Sequence, residues 1–520
     1  MTVCRRFVSL FVSIAFCVSP LVQVSMTAEP TVGAAASAFK PIEIGSRWEP
    51  FVDDYLVEKL KGARLQMHSP RPAEVVFNFD APWEGSSSAY VTIFRDGRLY
   101  RMYYRAVAGK SAPASGEGWV MNTCYAESRD GIHWERPNVG LFEFEGSKKN
   151  NIVWPGGGPG AWDSPVSNFA AFKDPNPNAP PTERYKALGG TFGFKHPGFL
   201  LGYVGFVSPD GINWRQLDGY LLDKRHWPEH SDDASLPVYW SEHERQYVAY
   251  LRIRVDDKMK PMDSWNPTSI RWFGRTTSKD FRHWTKVEML DYGGAPIEHF
   301  YTVAIVPYFR APHLSVGFPL RFLSGRDAKL PATFDAGRGK GMSDTVFISS
   351  RDGVRFDRRF MESLIRPGLD LYNWTDRNNM AATGIVQTGE DEMSLYLSEH
   401  NRLPTNRLRR RVIRLDGIVS VRAPFQGGEL VTKPLVFDGE RLAVNYSTSA
   451  AGGLRVEILD SDSRPVSGHS LDDAVELIGD SVEQTVEWKG GATVGHLAGK
   501  VVRLRFVLND ADLFAFRFGG

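Results

Sequence analysis

From about residue 90 the chain runs as short apolar segments broken by polar turns, and the apolar positions recur every second residue, with almost no period near 3.6. Pairs such as Tyr90 to Phe94 with Tyr100 to Tyr104, and Val238 to Trp240 with Tyr247 to Ile253, read as adjacent strands. One turn punctuates them repeatedly. It stands as Ser128-Arg129-Asp130-Gly131-Ile132-His133-Trp134 and Ser208-Pro209-Asp210-Gly211-Ile212-Asn213-Trp214. Weaker copies are Ser278-Lys279-Asp280-Phe281-Arg282-His283-Trp284, Ser350-Arg351-Asp352-Gly353-Val354-Arg355-Phe356, and a degenerate Asp416-Gly417. Asp-Gly supplies the backbone of a tight turn, and the aromatic that follows re-enters a sheet. Five such units of three or four strands each, spaced 64 to 80 residues apart, predict an all-β fold, a five-bladed β-propeller over 44–424. The alternative is a stack of unrelated hairpins in a larger sandwich. Ile44 to Met67 is expected to cap the ring or supply a closing outer strand. After residue 424 the tip motif stops, and a further set of strands predicts a C-terminal β-sandwich over 425–520.

Composition narrows the class. A chain of 520 residues exceeds one ordinary core. Its 62 basic and 61 acidic residues leave a charge of +1, so neither nucleic acid nor an anionic membrane is an expected partner, although a local basic patch stays compatible with the total. Arg5 and Arg6 precede an apolar run from Phe7 to Val24, the pattern of a signal peptide (1–28), followed by a linker (29–43). The alternative is an uncleaved anchor. The expectation is a secreted or periplasmic protein with no stable membrane insertion after cleavage. Of three cysteines only Cys124 follows the signal, so no internal disulfide is expected, and its place in an alternating strand pattern makes it a buried structural thiol.

Propeller inner strands converge on one mouth of the channel, so residues far apart in sequence meet there. Stepping back from each tip places blade starts near Trp83-Glu84, Asp163, Asp232-Asp233, Glu298-His299 and Arg377-Asn378. A ring of carboxylates at one mouth suits glycoside hydrolysis, with a protonated acid for the leaving oxygen and a base or nucleophile opposite. Asp163, Asp233 and Glu298 are the candidate catalytic residues. Trp83, Glu84, Trp162, Asp232, His299, Tyr301, Arg377 and Asn378 are the candidate substrate contacts, with a carbohydrate as partner. Tryptophan beside an acid is also ordinary packing, and His299 could bond a sugar, ligate a metal or sit in the core. No His-x-His or His-Glu-x-x-His occurs, and neither Asp53-Asp54 nor Asp256-Asp257 begins a calcium loop. No cofactor is therefore expected, with a structural calcium ion left open. Arg377 could hold a carboxylate or sulfate on the substrate, or form a structural salt bridge.

The Ser-x-Asp-Gly-x-x-Trp tips and the acidic blade starts resemble those of the five-bladed propeller glycosidases, glycoside hydrolase families 32 and 43, and of related exported bacterial proteins. Phe51-Val52-Asp53-Asp54-Tyr55-Leu56 and Ser343-Asp344-Thr345-Val346-Phe347 add to the likeness, which spans about residues 50 to 420. The resemblance implies a three-carboxylate site in the channel funnel, an Asp at the first blade as base or nucleophile, a second Asp tuning the site and a Glu as acid, and it carries to Asp163, Asp233 and Glu298 as a class; the acids at the blade starts make Glu298 the expected acid and Asp163 or Asp233 the expected base. The fructan motifs of family 32 are missing, blade one offers Glu84 where the families have Asp, and Lys173-Asp174-Pro175 should lie at the opposite mouth. The rival function is a non-catalytic propeller that binds glycan or a cell-surface protein.

Overall fold

The computed structural model describes residues 40–108, 120–156, 165–190, 202–227, 229, 236–263, 266–327 and 341–520. The expected signal peptide (1–28) and residues 29–39 of the expected linker lie outside the described residues. Among those described, helical turns are single 3-10 turns such as Leu371–Asn373, and no helix is long and apolar enough to cross a membrane.

The period-two pattern folds as five antiparallel blades. Blade one runs Ala89–Asp96, Leu99–Ala108, Val120–Ser128 and Ile152–Pro155 from the axis outward. Blade two uses Ala170–Lys173, Tyr185–Gly189 and Gly202–Ser208. Blade three uses Val238–Ser241, Gln246–Val255, Ile270–Ser278 and Glu288–Met289. In blade four, Val306–Tyr308 pairs with Ala311–Gly317, which continues as Leu320–Leu323 against Met342–Thr345. Blade five has Met380–Ala381 and Val386–Gln387 innermost, then Glu392–Glu399 and Arg407–Arg414. A cavity of about 310 Å³ touches all five inner strands, through Phe94, Phe172, Tyr239, Pro307 and Val386 among others, and marks the central channel.

The ring closes twice. Arg71–Asn78 adds the outermost strand of blade five by pairing with Arg407–Arg414, so the closing strand lies just after the 44–67 segment expected to supply it. At the axis, the Thr383 N–H donates to Val91 O at 2.8 Å and the Ile93 N–H to Thr383 O at 2.9 Å, joining blade five to blade one. Gly384 permits that approach: at φ +136°, a Cβ there would stand 1.9 Å from Ile93 O.

The repeated tips latch each blade to the one before it. Within a tip, Asp130 Oδ1 accepts the N–H groups of Ile132 and His133, and Gly131 adopts φ +76°. Between blades, the Tyr396 hydroxyl donates to Gly131 O (2.6 Å), Tyr103 to Gly211 O (2.7 Å) and Tyr250 to Gly353 O (3.1 Å). Where glycine gives way to Phe281, φ stays positive and the ring packs on Phe172 of blade two, while Arg282 pairs with Glu183 at 2.6 Å. At the fifth tip, Tyr308 donates to Asp416 Oδ1 at 2.6 Å.

Of the remaining strands, Ile42–Gly45 pairs in parallel with Leu435–Phe437 as a separate two-stranded sheet, and eight form one continuously hydrogen-bonded sheet, built from both ends of the described chain. Its two long strands, Arg441–Leu459 and Arg503–Gly519, pair on both sides of a break at Thr448/Gly453, and the two halves share one core with Phe506, Phe516 and Phe518. This pairing does not establish the separate two-sheet sandwich expected over 425–520. Val57–Lys61 pairs with Gly428–Thr432 and Arg64–Met67 with Val419–Ala423, which places the 44–67 segment in this sheet and not on the ring. Alternation reports a strand but not its partner, and these pairings span about 350 to 375 residues. The sheet meets blade four through buried charge: Arg351 donates to Glu49 at 3.0 Å and to Asp53 at 2.9 Å.

Candidate functional site at the inner-strand mouth

The mouth where the inner strands begin is built from Tyr90 in blade one, Tyr301 ahead of blade four, and the 376–380 segment entering blade five. Their hydroxyls bring Tyr90 and Tyr301 within 3.5 Å, and Ala89, Leu320 and Met380 complete a small buried cluster with them. The backbone there is strained. Tyr90, Ala304, Arg377, Asn379, His400 and Arg402 have φ between +43° and +67°, a region that side-chain-bearing residues enter at a cost of about 1–2 kcal/mol each. Such outliers persist only where surrounding contacts hold them, and they gather at working sites.

Guanidinium groups converge on these rings. Arg105 lies 4.3 Å from the Tyr90 centroid, and Arg252, Arg377 and Arg271 lie 4.7, 5.4 and 5.5 Å from that of Tyr301. Arg252 also donates to Tyr301 O at 3.0 Å. Asp376 faces Arg377 at 3.7 Å and Arg402 at 3.4 Å. Burial, with the charges of Arg271 and Arg254, pushes the His299 imidazole below its usual range, so it stands neutral at pH 7 and its Nδ1 accepts from the Arg271 backbone N–H at 3.4 Å. At the rim, exposed Tyr372 contacts the His400 ring, and His400 Nε2 bonds Asp370 at 2.8 Å. Tyr90 and Tyr301 are buried, whereas Tyr372 is 45% exposed, and an exposed flat ring beside polar groups is the kind of surface that holds the apolar face of a pyranose.

The residues expected from sequence separate. His299, Tyr301 and Arg377 come together at this mouth. Glu298 turns away, because successive residues of an extended segment face opposite sides. Its oxygens accept from Arg321 and Arg358, both at 3.1 Å, while Phe300 packs on Tyr292 on that same side. Arg321 also pairs with Asp344 at 2.7 Å, so Glu298 sits in a four-membered ion network inside blade four. Glu84 is closed off as well: its fully buried carboxylate takes Arg136 at 2.8 Å and the Tyr104 hydroxyl, and Trp83 donates to Asn151 at 2.7 Å. Asn378 is buried, its Oδ1 accepting the Asn401 N–H at 2.8 Å. Asp163, Trp162, Asp232 and Asp233 lie outside the described residues. Asp174 follows the inner strand of blade two, at its far end, and pairs with buried Lys186 at 2.7 Å. Among the described residues no group of three or more His, Cys, Asp or Glu is placed to hold a metal ion.

Sequence reasoning missed Tyr90, Arg105, Arg252, Arg254, Arg271, Asp376 and Arg402. Part of the signal was present: Arg252-Ile253-Arg254 and Arg105 interrupt otherwise apolar strand runs, and a cation inside such a run is buried only for a reason.

No family model matches the chain, and no curated protein matches it. Solved structures do. A complex of BT0996 with RGII is 16% identical, with 66% of this chain and 92% of that protein covered at a TM-score of 0.42. An N-acetylgalactosamine deacetylase from F. plautii, in complex with blood group B trisaccharide, is 11% identical over 68% of this chain and 96% of the deacetylase, with a TM-score of 0.43. A glycosyl hydrolase from Bacteroides ovatus is 13% identical over 70% of this chain and 96% of the hydrolase, at 0.40. Likeness at this distance concerns the fold, and the five blades rest on the strand pairing described above.

Proposed function

We propose that this chain is a secreted glycoside hydrolase that cleaves an environmental polysaccharide or its oligomers at the inner-strand mouth. The observation that supports this most is the mouth itself: Tyr90 and Tyr301 are held beside guanidiniums and a largely buried carboxylate, Asp376, by a strained backbone. Hydrolysis needs two carboxyl groups flanking the scissile bond, one to protonate the leaving oxygen and one to act as base or nucleophile. We assign them among Asp163, Asp233 and Asp376. Glu298 then acts as a positioning residue that holds Arg321 and Arg358. Signal-directed export fits a substrate met outside the cell.

The test is release of reducing sugar from a broad glycan panel by the purified chain, repeated with Asp163→Asn, Asp233→Asn, Asp376→Asn and Glu298→Gln. Two of the three aspartate variants should lose at least a hundredfold in kcat while still binding substrate, and Glu298→Gln should lose stability more than kcat. A panel left entirely uncut sinks the hydrolase reading.

A further inference from the structure

A second cleft, of about 920 Å³, opens beside the fourth blade tip. In blade four, Ile348–Ser350 runs antiparallel to Ala311–Gly317 and therefore in the direction of the inner strand Val306–Tyr308, away from the mouth. The tip that follows Ser350 is thus on the far face of the ring. Its Ser350, Arg351 and Phe356 form one side of the cleft, and Tyr55 and Lys433, which flank the paired strands Val57–Lys61 and Gly428–Thr432, form another.

The charged groups of this cleft are matched to one another. Arg351 pairs with Asp53 at 2.9 Å, Arg359 with Asp357 at 2.6 Å and Asp54 at 2.9 Å, and Arg355 with Asp291 at 3.2 Å. A free ion of either sign finds little net attraction there. The groups without partners are of another kind. The Tyr292 hydroxyl, Ser349 Oγ and Arg358 Nη1 have no hydrogen-bond partner among the described residues, although these residues line the cleft and are only 6%, 1% and 4% exposed. Arg358 is fixed by its Nε bond to Glu298 at 3.1 Å, and burial, then the Glu298 charge, keeps the Tyr292 phenol protonated.

Buried polar groups are satisfied almost without exception, so three orphans at one cleft mark the place of something that bonds to them. The cleft has the size of a small-molecule site, far beyond that of one water. Two hydroxyls that both give and accept, beside one N–H donor, match the hydroxyl groups of an uncharged sugar. Tyr55 adds a ring that is 40% exposed, on which the apolar face of a pyranose can lie. We propose that this far-face cleft is a second carbohydrate-binding site, which takes an uncharged stretch of polysaccharide through Tyr55, Tyr292, Ser349 and Arg358 and keeps the chain on polymer while the mouth works. The choice of glycan as ligand rests on the reading of the mouth; the site itself does not.

The experiment is affinity electrophoresis of the full mature chain through gels holding a neutral β-glucan, mannan, galactan or xylan, beside calorimetric titration with inorganic phosphate and release of reducing sugar from short soluble oligomers. At least one polymer should retard the chain. Tyr55→Ala should weaken that retention about tenfold and Tyr292→Phe about fivefold, while each leaves the cutting of short oligomers within twofold. Tyr292→Phe removes an unpaired group, so its urea midpoint should be unchanged or higher. Retention in no gel, or retention that neither variant alters, overturns the inference and leaves cutting at the mouth untouched. Phosphate binding that Tyr292→Phe abolishes, with no retention by polymer, assigns the cleft to an anion and overturns it too. A lowered midpoint for Tyr292→Phe places a structural water on the hydroxyl, with the same consequence. Retention lost in both variants of a chain that cuts no oligomer supports the cleft and sinks the hydrolase reading alone.

Discussion

The latch between blades makes a prediction that can be worked from distances. Gly131 O accepts from Tyr396 of blade five at 2.6 Å and from Trp134 Nε1 at 3.1 Å. Tyr396→Phe therefore removes one of two donors and leaves the carbonyl satisfied, so the cost should be about 1 kcal/mol, and not the larger penalty of a stranded buried group. Gly131→Ala is a different fault. The new Cβ would stand 2.8 Å from Tyr396 Oη and 2.9 Å from Thr388 Cγ2, at φ +76°. Left-handed strain of about 1–2 kcal/mol adds to overpacking of about 1–3 kcal/mol. The two changes are coupled through one oxygen. With the hydroxyl gone, half of the clash disappears, so the double variant should cost about 1 kcal/mol less than the sum of the singles. The assay is equilibrium urea unfolding followed by circular dichroism. Additivity within about 0.5 kcal/mol would refute the latch, since independent sites add to that tolerance.

Three further outcomes follow from buried charge and burial. Lys186→Met should cost about 3–5 kcal/mol in the same assay, because it leaves the Asp174 carboxylate buried with its hydrogen bond from Tyr247 but no counter-charge; Lys186→Met with Asp174→Leu should recover most of the loss. Burial pushes the Glu49 carboxyl up, but the His313 ring 3.3 Å away and the charges of Arg351 and Arg47 outweigh it and hold the group at about 2, from 4.5. Burial lowers His313 as well, so the lasting charges are the two arginines. The resulting stabilisation, on the order of 3 kcal/mol, is complete above pH 4.5 and drains away as pH falls toward 2. A Glu49→Gln chain should be less stable at neutral pH and should lack that acid limb. Cys124 is fully buried, and burial, then the neighbouring Glu84, pushes its thiol well up, so an aromatic disulfide reagent should leave it unmodified until the chain unfolds.

How much of this is legible in the sequence depends on whether a feature is local. The Asp-Gly tips encode their own geometry within seven residues, so both the turn and the repeat that reveals five blades can be read directly. That four of the five tips dock on a tyrosine of the preceding blade cannot, because partners such as Tyr396 and Gly131 are 265 residues apart. The closing strand lies a few residues later than expected for the same reason: period-two alternation fits both the 44–67 segment and Arg71–Asn78, and only pairing distinguishes them. At the mouth, stepping back from the tips finds His299, Tyr301 and Arg377. It also selects Glu298 and Glu84, since sequence position fixes the level of a residue along the axis but not the side to which it points. Glu298 differs from His299 by one residue and faces the opposite way. The arginine group escapes because its members are spread over several strands, and its meaning appears only when blades one, three and five are brought together.

The most direct test of the central claim is a crystal structure of the Asp233→Asn chain with a tetrasaccharide that the unaltered chain cleaves. The expected result is a sugar unit at the inner-strand mouth, within hydrogen-bond reach of Asp376 or Arg402. A mouth empty at saturating ligand, or a sugar lodged instead in the cleft of about 640 Å³ beside Arg215, Arg282 and Trp284, would contradict it.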